Sequence, residues 1–149
     1  MKPIRIFSHW EQVRFDLLAT LDGFKEAELA YQPFKNSWSV GQIALHIADC
    51  ADNWLHGVVR GEITPWVFYD FQDHPTRGEI KKILELSYRK TCSFLESLEE
   101  NDLDVLYTTP HGEKFSLYWI IWHVLEHEIH HRGELSLIHG LLGREGLDV

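Results

Sequence analysis

Apolar residues recur at three- and four-residue spacing in four stretches of the chain, the pattern of helices that bury one face. The first stretch starts at Ser8, where Ser8 and Glu11 match the capping box S-x-x-E. Trp10, Val13, Leu17, Leu18 and Leu21 then form a stripe that ends near Gly23. The second starts at Ser39, boxed with Gln42, and carries Ile43, Ile47, Ala51, Trp54 and Val58 along one face until Gly61. The third pairs Thr76 with Glu79 and runs through Ile80, Ile83, Leu84, Ser87, Cys92, Leu95 and Leu98 to the break at Asn101-Asp102. The fourth runs from about Ser116 to Gly140.

Residues 24–38, 61–75 and 99–115 connect these stretches, and none reads as a domain linker, so residues 1–149 are expected to form a single domain. The middle connection holds Pro65, Trp66, Phe68, Tyr69, Phe71 and Pro75, too aromatic for a solvated tether. At about 3.3 Å per extended residue it can span the roughly 30 Å of a 20-residue helix, which allows a crossover between the second and third helices. Residues 105–109 have some strand character, but Pro110-His111-Gly112 follows and an irregular loop is expected. The fold class is therefore all-α, four helices around one core.

Composition narrows the function. Fourteen basic against 23 acidic residues give a net charge of −9, and no dense basic run is present, which argues against a nucleic-acid partner. The longest apolar run, Leu117 to Trp122, falls far short of the roughly 20 residues of a membrane span. The N-terminus lacks the apolar stretch of a signal peptide, so a cytoplasmic location is expected. Cys50 and Cys92 are too few for a disulfide framework or a thiolate metal cage, and Cys50 reads as a small core residue. The six tryptophans read mostly as core and loop anchors.

Histidine stands out: of ten, five (His123, His127, His130, His131 and His139) lie in the fourth stretch. On a wheel at about 100° per residue with Leu117 at zero, Ile120, Ile121, Val124, Leu135, Ile138 and Leu142 define the buried face. His131 falls at about −40° and His127 at about −80°, while His123 and His130 lie on the outward flank. Two imidazoles four residues apart project from consecutive turns of one face, a spacing that suits one metal ion. Both would be costly to bury unless something satisfied them. His46, at the edge of the second helix's stripe, is the candidate third ligand, although alone it would read as a hydrogen-bonded boundary residue. His9, His56, His74, His111 and His139 are assigned to surface or loop positions.

His127-Glu128-Ile129-His130-His131 also matches H-E-x-x-H, the zinc protease signature with Glu as base. The residues after His131 do not continue the longer pattern, and only 18 remain in which to find another ligand. Glu128 falls at about +20°, inside the apolar arc, so it must have a partner. A hydrogen bond or ion pair to a neighbouring helix is favoured over a base, with support of a ligand histidine as an intermediate role.

Trp38-Ser39-Val40-Gly41-Gln42, His46-Ile47-Ala48-Asp49 and His127-Glu128-Ile129-His130-His131-Arg132-Gly133, together with the Leu-rich first helix, resemble the DinB-like superfamily of small metal-binding proteins, which includes YfiT-like members. The resemblance spans nearly the whole chain. One departure is Glu134, where Gln is common after Arg-Gly, and little is read into it. The resemblance implies an up-down-down-up four-helix bundle with a long crossover between helices 2 and 3, frequent homodimers, and a metal triad of His46, His127 and His131. The metal would be a divalent ion, with zinc, nickel, manganese and iron not separated by ligand type. It also implies a role for a small thiol such as bacillithiol, transferred to an electrophile. Three imidazoles leave a coordination position open, so metal-activated hydrolysis and a non-enzymatic, stress-responsive metal-binding role stay alongside it.

Overall fold

The computed structural model describes residues 1–145. Its four long helices are α1 (Trp10–Asp22), α2 (Val40–Ala51), α3 (Arg77–Ser97) and α4 (Leu117–Leu141). Thr76 closes the expected capping box with Glu79, and Ser39 and Ser116 each accept one backbone N–H at the start of α2 and α4. The box predicted at Ser8 does not form. The chain already turns as a short helix over Pro3–Ile6, and His9 takes the N-cap position in helical conformation with no side-chain bond. At its other end α2 passes without a break into a π-helical segment, Asp52–Val59, that extends the helix beyond the ordinary repeat.

The apolar residues separate into two clusters, and their order along each helix gives the topology. Helix α1 runs from Trp10 and Val13 in the first cluster to Leu17 and Leu21 in the second. Helices α2 and α3 run the other way, from Ile43, Leu45 and Ile80, Leu84 in the second to Ala51, Leu55 and Phe94, Leu95 in the first. Helix α4 returns from Leu117, Ile120 and Ile121 to Leu135 and Ile138. This is the up-down-down-up bundle. Between the clusters each helix contributes buried polar side chains: Arg14, then Asp49 and Asp52, then Ser87 and Thr91, then Glu128 and His131.

Two parallel neighbours, α2 and α3, require a long connection, and side chains of α2 hold it down. Along residues 67–71 every second residue is bonded to α2 or its π-helical extension. Asn53 accepts from the Val67 N–H at 2.8 Å and donates to its carbonyl at 2.9 Å. Asp49 accepts from the Tyr69 N–H at 2.8 Å. Gln42 donates to the Tyr69 carbonyl and accepts from the Phe71 N–H, both at 2.9 Å. Its amide is therefore used here and not to complete a capping box with Ser39. The period-two bonding follows from extended backbone, with side chains standing where a neighbouring strand would be. Gly41 lets the crossover close in, because a Cβ there would overlap the Phe71 ring.

The expected irregular loop between α3 and α4 is instead a small hairpin. Strands β1 (Leu106–Thr108) and β2 (Lys114–Ser116) pair antiparallel with Tyr107 opposite Phe115. Pro110-His111-Gly112, read as a breaker, forms its turn, with Gly112 at φ 87° where a side chain would be strained.

Replacing Asn53 with Ala should strand the backbone groups of Val67 and lower unfolding free energy by about 2 kcal/mol. A urea titration checks this. An unchanged midpoint would show that the crossover does not depend on that side chain.

Candidate metal centre

The polar layer between the two apolar clusters brings His46 of α2 against His127 and His131 of α4. One ring nitrogen from each lies within 4.8 Å of the others. The Nε2 atoms of His46 and His127 are 3.1 Å apart, within the roughly 4 Å spanned by two metal–nitrogen bonds of about 2.0–2.1 Å. The ring centroids are 4.7 Å apart for His46 and His127, 5.2 Å for His46 and His131, and 4.4 Å for His127 and His131.

Two of the three rings are oriented by carboxylates. Nδ1 of His131 donates to Glu134 at 2.8 Å, and Nδ1 of His46 faces Asp49 at 3.4 Å. A proton held on Nδ1 leaves the Nε2 lone pair free, the usual arrangement behind a ligating imidazole. Both partners sit three residues along the same helix, so the spacings H-x-x-D and H-x-x-E were present in the sequence, but their roles were missed. His127 has no such support: its Nδ1 is buried with no partner among the described residues. Burial, followed by the neighbouring His131 and His46, pushes its pKa from 6.5 down to about 3. Three ring nitrogens converging is an arrangement that a cation would relieve, and the donor set fits a divalent ion.

Glu128 does not belong to this cluster. Its Oε2 accepts from Arg14 and from the Trp10 indole, both at 2.8 Å and both on α1. Burial raises its pKa against the opposing pull of Arg14. The carboxylate is thus the interhelical ion pair that its place in the apolar arc demanded, and its role as a protease base loses its geometry. The Arg14 guanidinium also lies 4.9 Å from the centre of the Tyr88 ring.

Beside the cluster opens a cavity of about 450 Å³ whose walls include Trp38, Cys50, Trp54, Trp66, Phe68 and His123. Here several sequence expectations are corrected. His123, placed on the outward flank, lines the cavity; it stacks on Trp119 at 4.8 Å and 9°, and Trp119 stacks on Phe115 at 4.0 Å and 18°. The signal was the repeat of ring-bearing residues every four positions, from Phe115 to His127. Trp38, Trp66, Trp119 and Trp122 are exposed and do not serve as core. His56 and His139 are buried and not on the surface. His56 sits in the π-helical segment, and His139 packs edge-on against Phe24 at 4.2 Å. Cys50 is buried as expected, with burial pushing its thiol pKa up, and it is not among the converging ligand atoms.

Residues 9–135 match the DinB superfamily. The chain is 24% identical over 133 residues to the uncharacterized protein YjoA of Bacillus subtilis, covering 88% of this chain and 84% of that protein. The crystal structure of YjoA superposes with a TM-score of 0.75 at 22% identity, over 97% of this chain and 96% of that one. A mycothiol-dependent maleylpyruvate isomerase superposes with a TM-score of 0.67 at 14% identity, over 91% of this chain but 61% of that one. YfiT from Bacillus subtilis, described as a probable metal-dependent hydrolase with an unusual four-helix bundle topology, gives 0.57 at 23% identity, over 89% and 87%.

Glu128→Ala should lower stability by about 3–5 kcal/mol in urea, because Arg14 is then buried without its partner. The double variant Arg14→Met, Glu128→Leu should recover most of that loss. A single variant as stable as the wild type would remove the ion pair from the account.

Burial holds His56, His123, His127, His131 and His139 below the ordinary pKa of 6.5. The unfolded chain therefore binds more protons than the folded one below that pH, and stability falls as pH drops. The raised pKa of Glu128 acts in the opposite sense but is one group against five. Chelator-treated protein should unfold at lower urea at pH 5.0 than at pH 7.5. The opposite order would mean that the histidines are not held neutral.

Proposed function

We infer that this chain, which belongs to the DinB superfamily, is a metal-dependent enzyme that binds a divalent ion through His46, His127 and His131 and joins a small thiol to an electrophile. The observation that carries the reading is the convergence of three imidazole nitrogens at the wall of a cavity roomy enough for a substrate. Three protein ligands leave a position open, as in catalytic rather than structural sites. When bound, the ion would favour the thiolate form of a thiol it coordinates at neutral pH.

The chain's own residues supply the rest. Asp49 and Glu134 fix the ring orientations of His46 and His131, and the aromatic walls hold the organic substrate and exclude water. The thiolate lone pair forms the sulfur–carbon bond while the leaving group departs with its electron pair. No proton need be removed by a protein base during that step, and none is well placed as a carboxylate. Asp49 is occupied by Tyr69 and His46, and Glu128 by α1. The thiol-dependent structural relative supports the same choice. Hydrolysis is the second reading, favoured by His123: burial keeps this imidazole a neutral base at the cavity wall, where it could take a proton from an attacking water.

Elemental analysis should find about one divalent ion per chain in the wild type and a large loss in His127→Ala, with His130→Ala unchanged. The metal-loaded protein, given bacillithiol and a chromogenic aryl halide, should form the thioether, and His127→Ala should not. Equal metal content in wild type and His127→Ala would overturn the site. Metal-dependent ester cleavage without thioether formation would move the assignment to hydrolase.

A further inference from the structure

The cavity beside the histidines is specific in what it omits. Its walls are aromatic: Trp54 lies 6.0 Å from Trp66 and 5.2 Å from His123, and the column of Phe115, Trp119 and His123 backs it. Apart from the histidines, the amide and carboxylate groups along it are already used. Both ends of the Asn53 amide are bonded to Val67, and the Asp49 carboxylate is shared between Tyr69 and His46. Among the described residues, no Lys or Arg lines it. Trp38, Trp66 and Phe68 nonetheless keep 42%, 44% and 60% of their surface exposed at its edge. Large rings held against water beside a reacting centre offer flat faces for stacking and no partner for a charge. A volume of about 450 Å³ is within the range of small-molecule sites.

We propose that this cavity selects an organic substrate with an uncharged, flat aromatic or conjugated body, laid against Trp54 and Trp66, and rejects one that carries a carboxylate there. The proposal rests on the reading of the histidine cluster as the reacting centre and names the electrophile's class. An anionic body would face neutral rings and a chain of net charge −9, with no guanidinium or ammonium to replace its hydration. Aromatic faces also attract cations, but a cage for a quaternary ammonium would need rings free on several sides, whereas Trp54 is packed edge-on against Phe115, Trp119 and His123.

The test titrates the full chain, metal-loaded and metal-free, with three probes of one shape: 2-naphthamide, 2-naphthoate and 2-naphthyltrimethylammonium. Calorimetry should show the neutral amide binding the metal-free chain at least tenfold more tightly than either ion. Trp66→Ala and Phe68→Ala, both changes at exposed rings, should each weaken amide binding at least threefold without altering metal content or the urea midpoint. No amide binding, an ion that binds within tenfold of the amide or tighter, or amide affinity unchanged in both variants overturns the proposal. The metal-free arm reads the cavity without the ion. A chain that binds the amide but no metal contradicts only the metal site, and one that binds metal but no amide contradicts only this proposal.

Discussion

Everything in this fold is arranged around a polar layer that crosses the middle of the bundle. Each of the four helices carries apolar residues at both ends and buried polar side chains between them, and burying such groups is tolerable only when they satisfy one another. Arg14 answers Glu128, Ser87 donates to Asp52 at 3.0 Å, and the Tyr69 hydroxyl donates to the same carboxylate at 2.7 Å. The three histidines are the part of the layer where one nitrogen of each ring points at the others, with the Nε2 atoms of His46 and His127 face to face. That convergence of ring nitrogens from two helices is the physical reason to place a cation there.

The layer also explains why the crossover lies where it does. Asp49 stands at the junction of two tasks, taking the Tyr69 N–H with one oxygen and facing the His46 ring with the other. The strap from residue 61 to 75 therefore closes the bundle and helps fix a candidate ligand. The π-helical segment after Ala51 carries Asn53 and Trp54, so one element supplies both the clamp on Val67 and an aromatic wall of the cavity. Extra residues per turn in that segment re-aim side chains in a way an α-helix would not.

Helical period made much of this legible. Spacings of three and four placed His127 and His131 inward and Glu128 inside the apolar arc, and all three are buried or half-buried in the structure as that geometry requires. The wheel failed for His123, because it describes one helix alone. The flank called outward is covered by Trp54 and opens on a cavity formed by a second helix and the crossover. His56 was assigned to a surface or loop position without a wheel, and it is buried in the π-helical segment. The Ser8 box was lost to the short helix Pro3–Ile6 just before it, where Pro3 is well suited to the first helical position. The strand character of residues 105–109 was legible and the hairpin was not, since its strands are three residues each and gain their pairing from the turn between them.

The central claim is that His46, His127 and His131 bind one ion together through imidazole nitrogen. X-ray absorption at the metal edge of the zinc-loaded protein tests it most directly. The account predicts about three imidazole nitrogens at about 2.0–2.1 Å with one or two further light-atom ligands. A shell containing sulfur from Cys50, or one with no imidazole scattering, would contradict it.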